Sequence, residues 1–219
     1  LSIAPHIVRP LRFVLPHTPG MRPRWMLRLG LLLYDHLARR VSLPASHALD
    51  LRTSPAGGPL EDTYSSAFEY SDCRVDDARL VIANARDAAL RGADIFTRTK
   101  LTGASRNGGI WKIGLSGTGG QSRQVTAAML INATGPWADN TAKNIGGASC
   151  NRRIRLVQGA HIVTAKLFDH DKAYMFQNQD GRIIFAIPYE NSFTLVGTTD
   201  TDFSADPLQA SAGQAEIDY

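Results

Sequence analysis

The chain has 219 residues, of which 43% are hydrophobic and 20% charged, and its basic side chains outnumber the acidic ones by 24 to 20. This composition is typical of a soluble globular protein and excludes a disordered chain, a collagen-like fibre and a bundle of membrane helices. The formal net charge of +4 is compatible with an anionic ligand, a membrane surface or nucleic acid, and does not choose among them.

The length predicts between one and two domains, at roughly 150 residues per domain. The chain begins at Leu1 and ends in a stretch, residues 206–219, that has the pattern of a helix just starting, so we expect a segment of a longer protein. Cys73 and Cys150 form no C-x-x-C pair, which indicates neither a disulfide framework nor a zinc site. We expect no nucleic-acid partner, because aromatic and basic residues are not interleaved.

The first part of the chain is rich in proline, which favours extended backbone and is excluded from helix interiors. It predicts two extended pieces, a helix over residues 24–40 and a long loop with its tip at 54–58. Arginines flank the apolar helix in segment 22–40, and Trp25 stands at its start. This pattern fits a helix on an anionic lipid surface, and burial in a core or a partner's groove explains it at least as well.

A helix and a hairpin are predicted in the middle of the chain. Asp76 is a suitable N-cap, Gly92 is a suitable stop, and the apolar residues between them share one face. Alternation then predicts a strand over residues 93–101. The Asn-Gly pair at 107–108 indicates a type I′ turn into a strand over 110–115.

The apolar run at residues 127–131 predicts a strand buried on both faces. It ends in Asn-Ala-Thr-Gly-Pro-Trp at 132–137, where small residues would let backbone N–H groups approach a phosphate, as they do at the edge of open α/β sheets. An ordinary strand-to-helix turn has the same pattern. The phosphate-binding sequence Gly-x-Gly-x-x-Gly is absent from this chain.

The last part of the chain predicts an antiparallel meander. Its strands are expected at residues 155–166, 173–177, 182–189 and 193–199. The first strand carries His161, which is either a proton acceptor in a pocket or a histidine of the core. Arg153, Arg155 and Arg182 either bind phosphate or are solvated. Residues 197–200, Gly-Thr-Thr-Asp, either contact a ligand or form a plain turn.

Ten short strings, in order along nearly the whole chain, resemble the central part of the FAD-dependent respiratory glycerol-3-phosphate dehydrogenases. They lie at residues 4–7, 15–17, 22–26, 34–37, 68–73, 75–81, 132–137, 159–163, 187–189 and 196–200.

The resemblance implies a mixed α/β fold, with part of a discontinuous Rossmann-like FAD-binding domain and an antiparallel-sheet substrate cap. Residues 1–75 and 148–219 are expected in the cap, and residues 76–147 in the FAD-binding domain. The family's amino-terminal Gly-x-Gly-x-x-Gly segment and its carboxyl-terminal domain are then missing. We therefore expect the chain by itself to be colourless and inactive.

The resemblance also implies a reaction, the oxidation of sn-glycerol 3-phosphate to dihydroxyacetone phosphate by hydride transfer to FAD, with electrons passed to a membrane quinone. His161 is the implied catalytic residue. The implied cofactor-binding residues are Ala133, Thr134 and Gly135 at the diphosphate or ribose, and Lys100 and Leu101 at the adenine. Arg182 and Thr199 are the implied substrate-binding residues, and no metal site is expected.

The resemblance implies a peripheral protein on the cytoplasmic face of the inner membrane, with a homodimer as an open alternative. An oxygen-dependent glycerophosphate oxidase of the same superfamily would share these motifs. A non-enzymatic basic binding module is the alternative from a different functional class.

Overall fold

The computed structural model describes residues 3–37, 43–146 and 154–219, with only the backbone of residues 198–200. The fold is mixed α/β and contains two mixed sheets. Compact unit 1 comprises Leu1–Ala83, Gly159–Thr201 and Ala212–Tyr219, and unit 2 comprises Asn84–Gln158 and Asp202–Ser211. The assignment of cap and FAD-binding domains to the chain stays a prediction.

Within these described parts, the strands are β1 (Val8–His17), β2 (His47–Asp50), β3 (Ser66–Val75), β4 (Lys100–Asn107), β5 (Ile110–Ser116), β6 (Ser122–Ala127), β7 (Ile145–Gly146), β8 (Leu156–Ala165), β9 (Ala173–Gln177), β10 (Ile183–Tyr189) and β11 (Phe193–Phe203). The α-helices are α1 (Arg24–His36), α2 (Asp77–Leu90), α3 (Ala138–Lys143) and α4 (Gln214–Asp218). Single 3-10 turns cover Pro55–Gly57, Thr118–Gly120, Gly135–Trp137 and Pro207–Gln209. The predicted end of the first helix, residues 38–40, lies outside the described residues.

The larger sheet has the strand order β2-β3-β1-β9-β10-β11-β8. Strands β9, β10 and β11 form the predicted antiparallel meander, and β8 lies beside β11 rather than beside β9. The sheet is not wholly antiparallel, because β1 and β9 run parallel, with Phe13 opposite Ala173 and Val14 opposite Tyr174. That parallel pair joins two parts of unit 1 that are far apart in sequence.

A buried carboxylate lies at this junction. Glu69 on β3 is only 3% exposed. Its Oε2 accepts a hydrogen bond from Lys172 Nζ at 2.7 Å, just before β9, and its Oε1 forms a salt bridge with Arg12 on β1. One negative charge therefore holds cations from both sides of the parallel pair.

The hydroxyl of Tyr174 on β9 ties the same junction to the loop after β2. Tyr174 Oη donates a hydrogen bond of 2.6 Å to the carbonyl oxygen of Ala56 and lies 2.8 Å from His170 Nε2. Ala56 is only 1% exposed. The expectation of a loop tip at residues 54–58 is therefore wrong, because the 3-10 turn there packs into the core.

Unit 2 contains the smaller sheet, with strand order β6-β5-β4-β7. The predicted hairpin joins β4 and β5. Its two central residues are Gly108 and Gly109, both with the positive φ that a type I′ turn requires. They lie one position later than the Asn-Gly pair predicted.

The predicted positions of two strands in unit 2 are wrong. Residues 93–99 form turns and irregular backbone, and the strand begins only at Lys100. The run 127–131 leaves the sheet at Ala127, and Met129 and Ile131 are 73% and 77% exposed. No neighbouring strand pairs with that run among the described residues, so its apolar composition alone does not form a ladder.

The predicted ends of α2 are confirmed. Asp76 Oδ1 accepts a hydrogen bond of 3.1 Å from the Arg79 amide, and Gly92 ends the helix with φ +96°. The helix carries apolar residues that are exposed in this chain, since Val81 and Ile82 are 68% and 66% accessible. The sequence pattern therefore predicts the bounds of the helix and says nothing of what covers these residues.

Replacing Glu69 by glutamine tests the buried charge cluster. We expect Glu69→Gln to lower the free energy of unfolding by about 3 kcal/mol, because two partly buried cations lose their carboxylate. The measurement is urea denaturation of the full-length protein that carries this chain. The control is Asp87→Asn, which removes the exposed Asp87–Arg91 salt bridge and should cost less than about 0.5 kcal/mol. Equal losses in the two variants would contradict the junction's role.

Candidate functional site

The imidazole of His161 lies on β8, against the backbone of Gly197 on the neighbouring strand β11. A Cβ built on Gly197 would come within 2.6 Å of His161 Cγ and 2.5 Å of Nε2, so the ring occupies the space that a side chain would fill. His161 is exposed, and its ring makes no hydrogen bond to any residue that the structure describes. His161 is therefore not a histidine of the core, and its role as a proton acceptor stays a prediction.

The strand register places an apolar surface on the same sheet face as the His161 ring. Gly197 is opposite Phe185 on β10, and Phe185 is opposite Met175 on β9. Directly opposed residues point to the same side of a sheet. The Phe185 ring in turn meets Phe13 of β1 edge to face, with ring centroids 6.0 Å apart. The sequence did not predict this surface. The alternation of apolar residues along β10 could have indicated it only if the strands that pair with β10 had been known.

Tyr70 extends this surface onto β3. Its ring stacks on Phe13 at 5.4 Å between centroids, and its hydroxyl donates to Met175 Sδ at 3.3 Å. Burial raises the pKa of Tyr70 above its usual value, and the Asp72 charge adds to the effect. Tyr70 therefore stays protonated at neutral pH. Its ring is part of the apolar surface, and its hydroxyl does not act as a base.

Arg182 lies in the turn that leads into β10, and two neighbouring residues hold its guanidinium group. Its Nε donates to Asp180 Oδ2 at 2.6 Å, and its guanidinium carbon lies 3.1 Å from the centroid of the Tyr219 ring. Hydrogen bonds from the Arg182 backbone N–H and side chain lower the pKa of Asp180. The Asp180 carboxylate is thus charged at neutral pH.

The structure brings the predicted substrate residues onto neighbouring strands. Thr198 is opposite Ile184, so the backbone of Thr199 lies beside the start of β10, where Arg182 precedes the strand. His161 lies on β8, on the other side of β11. Gly197, against which the His161 ring lies, is two residues before Thr199 on β11.

The predicted phosphate-binding turn is exposed and built from small residues. Thr134 Oγ1 lies 2.8 Å from Asn132 Oδ1 and 3.1 Å from Thr141 Oγ1, and Asn132 Nδ2 donates to the Ala138 carbonyl at 2.9 Å. Gly135 has φ +55°, and no atom lies within 4 Å of a Cβ built there. The backbone of Ala133, Thr134 and Gly135 is therefore accessible to a large group.

Lys100 and Leu101 lie at the other end of the unit 2 sheet. Lys100 is opposite Ser116, and Ser116 is opposite Ser122 at the start of β6. The chain leaves β6 at Ala127, opposite Trp111, before it reaches Gly135. Strand pairing therefore does not bring the two predicted cofactor groups together.

The remaining arginines favour the solvated interpretation. Arg155 forms a salt bridge of 2.6 Å with Asp202, and both side chains are more than 70% exposed. Arg153 lies outside the described residues. In the described ranges no three His, Cys, Asp or Glu side chains are placed to hold a metal ion.

Residues 2–219 match the family described as FAD dependent oxidoreductase. The chain belongs to this family. Its cofactor is FAD, whose diphosphate and ribose need small residues and accessible backbone nearby. The exposed turn at 133–135 fits such a group, since nothing crowds Gly135. The atoms that contact the cofactor stay a prediction.

Named relatives of this oxidoreductase chain act on phosphorylated polyols. It is 46% identical over 220 residues to D-erythritol 1-phosphate dehydrogenase of Brucella abortus, covering 100% of this chain and 44% of that protein. It is also 46% identical over 219 residues to glycerol-3-phosphate dehydrogenase of Pseudomonas aeruginosa, covering 100% and 42%. The chain thus spans less than half the length of these relatives.

A solved structure has the same fold. The X-ray structure of glycerol-3-phosphate dehydrogenase from Bacillus halodurans, complexed with FAD, matches with a TM-score of 0.76 and 24% identity. The match covers 98% of this chain and 39% of that one.

Replacing Arg182 by leucine tests how the turn holds Asp180. We expect the Asp180 pKa to rise only part of the way to its ordinary 3.8, because the largest cause of its lowering, the Arg182 backbone N–H, remains. A carboxyl ¹³C NMR titration measures this change. Since the native pKa is the lower one, the interaction stabilises the fold above about pH 4 and is lost as the pH falls through the native pKa.

The control is Asp50, whose pKa Arg52 lowers to about 2 through the same spacing of residues. Arg182→Leu should leave that pKa unchanged. A complete return of Asp180 to 3.8 would show that the guanidinium alone holds it, and an unchanged Asp180 would show that the guanidinium contributes nothing.

Proposed function

We propose that the full-length protein is an FAD-dependent dehydrogenase that oxidises sn-glycerol 3-phosphate to dihydroxyacetone phosphate. The observation that carries the proposal is the exposed His161 ring beside an apolar sheet face, in a chain 46% identical to a glycerol-3-phosphate dehydrogenase. Oxidation of a secondary alcohol needs a base for the hydroxyl proton and a hydride acceptor opposite the same carbon. This chain supplies the base.

His161 takes the proton from the C2 hydroxyl of the substrate. As the proton leaves, the electron pair of the O–H bond forms the carbonyl, and the C2–H bond breaks with loss of hydride. FAD, when bound, accepts that hydride and its two electrons. The lone pair of an unprotonated ring nitrogen is the group that would accept the proton. The apolar side chains of Phe185 and Met175 lower the polarity around the ring.

Arg182 and Thr199 are the proposed contacts of the substrate phosphate. Asp180 and Tyr219 hold the Arg182 guanidinium, which fixes its orientation and leaves some of its five N–H donors for an anion. Thr199 is two residues from Gly197 on β11, and Arg182 directly precedes β10, which pairs with β11. A three-carbon phosphate monoester could then be held by its phosphate while its hydroxyl meets the imidazole.

Cofactor binding is proposed for two groups in unit 2. The open turn of Ala133, Thr134 and Gly135 would hold the diphosphate or ribose of FAD, with the Thr134 hydroxyl fixed by its neighbours. Lys100 and Leu101 would face the adenine.

D-erythritol 1-phosphate is the second candidate substrate. The chain is as similar to the D-erythritol 1-phosphate dehydrogenase of Brucella abortus as to the glycerol-3-phosphate dehydrogenase of Pseudomonas aeruginosa. The two phosphates differ by one CHOH group, so the same base and phosphate contacts would serve both. Specificity for one substrate would then depend on the space available for the extra CHOH group beyond the reacting carbon.

Flavin reduction without oxygen tests the proposed function. We expect sn-glycerol 3-phosphate to bleach the flavin absorbance of the full-length protein, because hydride transfer removes the oxidised chromophore. Bleaching by D-erythritol 1-phosphate alone would favour the second candidate, and bleaching by neither would contradict both. Reoxidation by a quinone without peroxide would support the proposed respiratory acceptor, whereas stoichiometric peroxide in air would favour the oxidase alternative.

His161→Asn tests the proposed base. We expect turnover of the full-length protein to fall by about 10²–10⁴-fold while its FAD content stays unchanged, because asparagine cannot accept the proton. The measurements are steady-state kinetics and the flavin spectrum. The exposed Tyr189→Phe is the control, since it removes a hydroxyl from β10 away from the ring. Wild-type turnover in His161→Asn would remove His161 from the mechanism.

We also propose that α1 contacts an anionic membrane surface. Asp35, only 7% exposed, accepts hydrogen bonds from the Ser46 amide and hydroxyl at 2.8 and 2.7 Å, and so fixes one side of the helix. The other side exposes Trp25 (66%) and Leu33 (61%). In the parts of the chain that the structure describes, no helix is long and apolar enough to span a bilayer. The proposal is therefore peripheral binding at the cytoplasmic face of the inner membrane.

The lipid proposal is tested with Arg22→Glu and Trp25→Asp together. Arg28 is unsuitable, because its Nη1 donates to the Ser46 carbonyl and hydroxyl and so supports the fold. We expect binding of the full-length protein to vesicles rich in anionic lipid to fall by at least about tenfold, from lost charge attraction and aromatic insertion. Ile110→Asp, in the unit 2 hairpin, is the control. Unchanged binding would favour a partner's groove or a core contact for α1.

A further inference from the structure

Gly197 lies in a strand, and the backbone conformation at this position does not require glycine. Its φ lies outside the positive range that favours glycine, so an L-residue could adopt the same backbone. It lies within β11, opposite Phe185, where glycine weakens a strand because it adds flexibility and packs nothing. Some other requirement must therefore explain glycine there.

The space around Gly197 supplies that requirement. All three of the nearest atoms to a Cβ built there belong to the imidazole of His161, and Cγ and Nε2 would be 2.6 and 2.5 Å away. Real Cβ contacts are not that short, so a methyl group would have to move the ring. By contrast, no atom lies within 4 Å of a Cβ built on many other glycines of the chain, such as Gly135 and Gly181.

We propose that Gly197 is a positioning residue for His161, and that its missing side chain forms the slot which holds the imidazole over β11. This inference rests on the proposed function, because it assigns a catalytic purpose to the ring's orientation. His161 is exposed, and among the described residues no hydrogen bond fixes its ring. Contact with the flat glycine backbone is then what restricts the ring to one orientation.

The expected effect of filling the slot follows from geometry. An alanine at 197 forces the ring away by more than about 1 Å, because Cδ2 of the ring would lie even closer to the new methyl than Nε2 does, and a misplacement of about 1 Å can already cost about 10²-fold in rate. Substrate binding should change less, because the three atoms nearest to the new methyl belong to His161 and not to Arg182, a proposed phosphate contact. The signature is thus a loss in kcat with a nearly unchanged KM.

The test is a double-mutant cycle in the full-length holoenzyme. We expect Gly197→Ala to lower kcat by 10- to 100-fold, His161→Ala to lower it further, and the double variant to match His161→Ala alone. If Gly197 acts on the sheet in general, the alanine will lower kcat by the same factor in both backgrounds, which would overturn the inference. Gly114→Ala is the matched control, since its Cβ meets only the Thr102 hydroxyl closely, in unit 2.

Thermal unfolding separates this inference from the proposed function. If Gly197→Ala does not fold, His161→Ala in the same chain should restore folding, because it removes the group that the methyl meets. A double variant that also fails to fold would overturn the inference. If His161→Ala keeps full turnover, the proposed base is wrong, and the proposed positioning role of Gly197 is overturned with it. Rescue of folding would then show only that the ring and the methyl compete for space.

Discussion

The sheet that carries the candidate site depends on one buried carboxylate. Strands β1 and β9 meet through a short parallel contact of two register pairs, and they come from parts of the chain about 160 residues apart. Glu69 reinforces this contact, because its carboxylate binds Arg12 on β1 and Lys172 before β9. Two cations share the one buried carboxylate there, and removing that carboxylate would leave both without it. The position of β10, β11 and β8 relative to β1 follows from that junction.

The candidate site is a consequence of the strand order that this junction fixes. Because β8 returns beside β11 rather than beside β9, His161 faces Gly197 instead of an aromatic side chain. The same register aligns Phe185 with Gly197, which places an apolar surface beside the ring. A histidine on a strand, with no side chain beneath its ring and apolar neighbours to one side, fits the proposed removal of a proton from an alcohol.

Local features could be predicted from the sequence, and features that need a distant partner could not. The caps of α2 and the glycine turn between β4 and β5 depend on residues within a few positions, and both were predicted. The run 127–131 has a strand's composition, but a strand also needs a neighbour, and none pairs with it among the described residues. The contact of His161 with Gly197 depends on a register between residues far apart in the chain, and so does the stacking of Arg182 on Tyr219. The resemblance implied roles for His161 and Arg182 but did not predict these contacts.

The most direct test of the central claim is a crystal structure of the full-length protein with FAD and sn-glycerol 3-phosphate bound. The account predicts that a ring nitrogen of His161 lies about 2.6–3.2 Å from the C2 hydroxyl, with the imidazole still seated over Gly197. A C2 hydroxyl bound by another group, with the His161 ring turned away from the substrate, would contradict it.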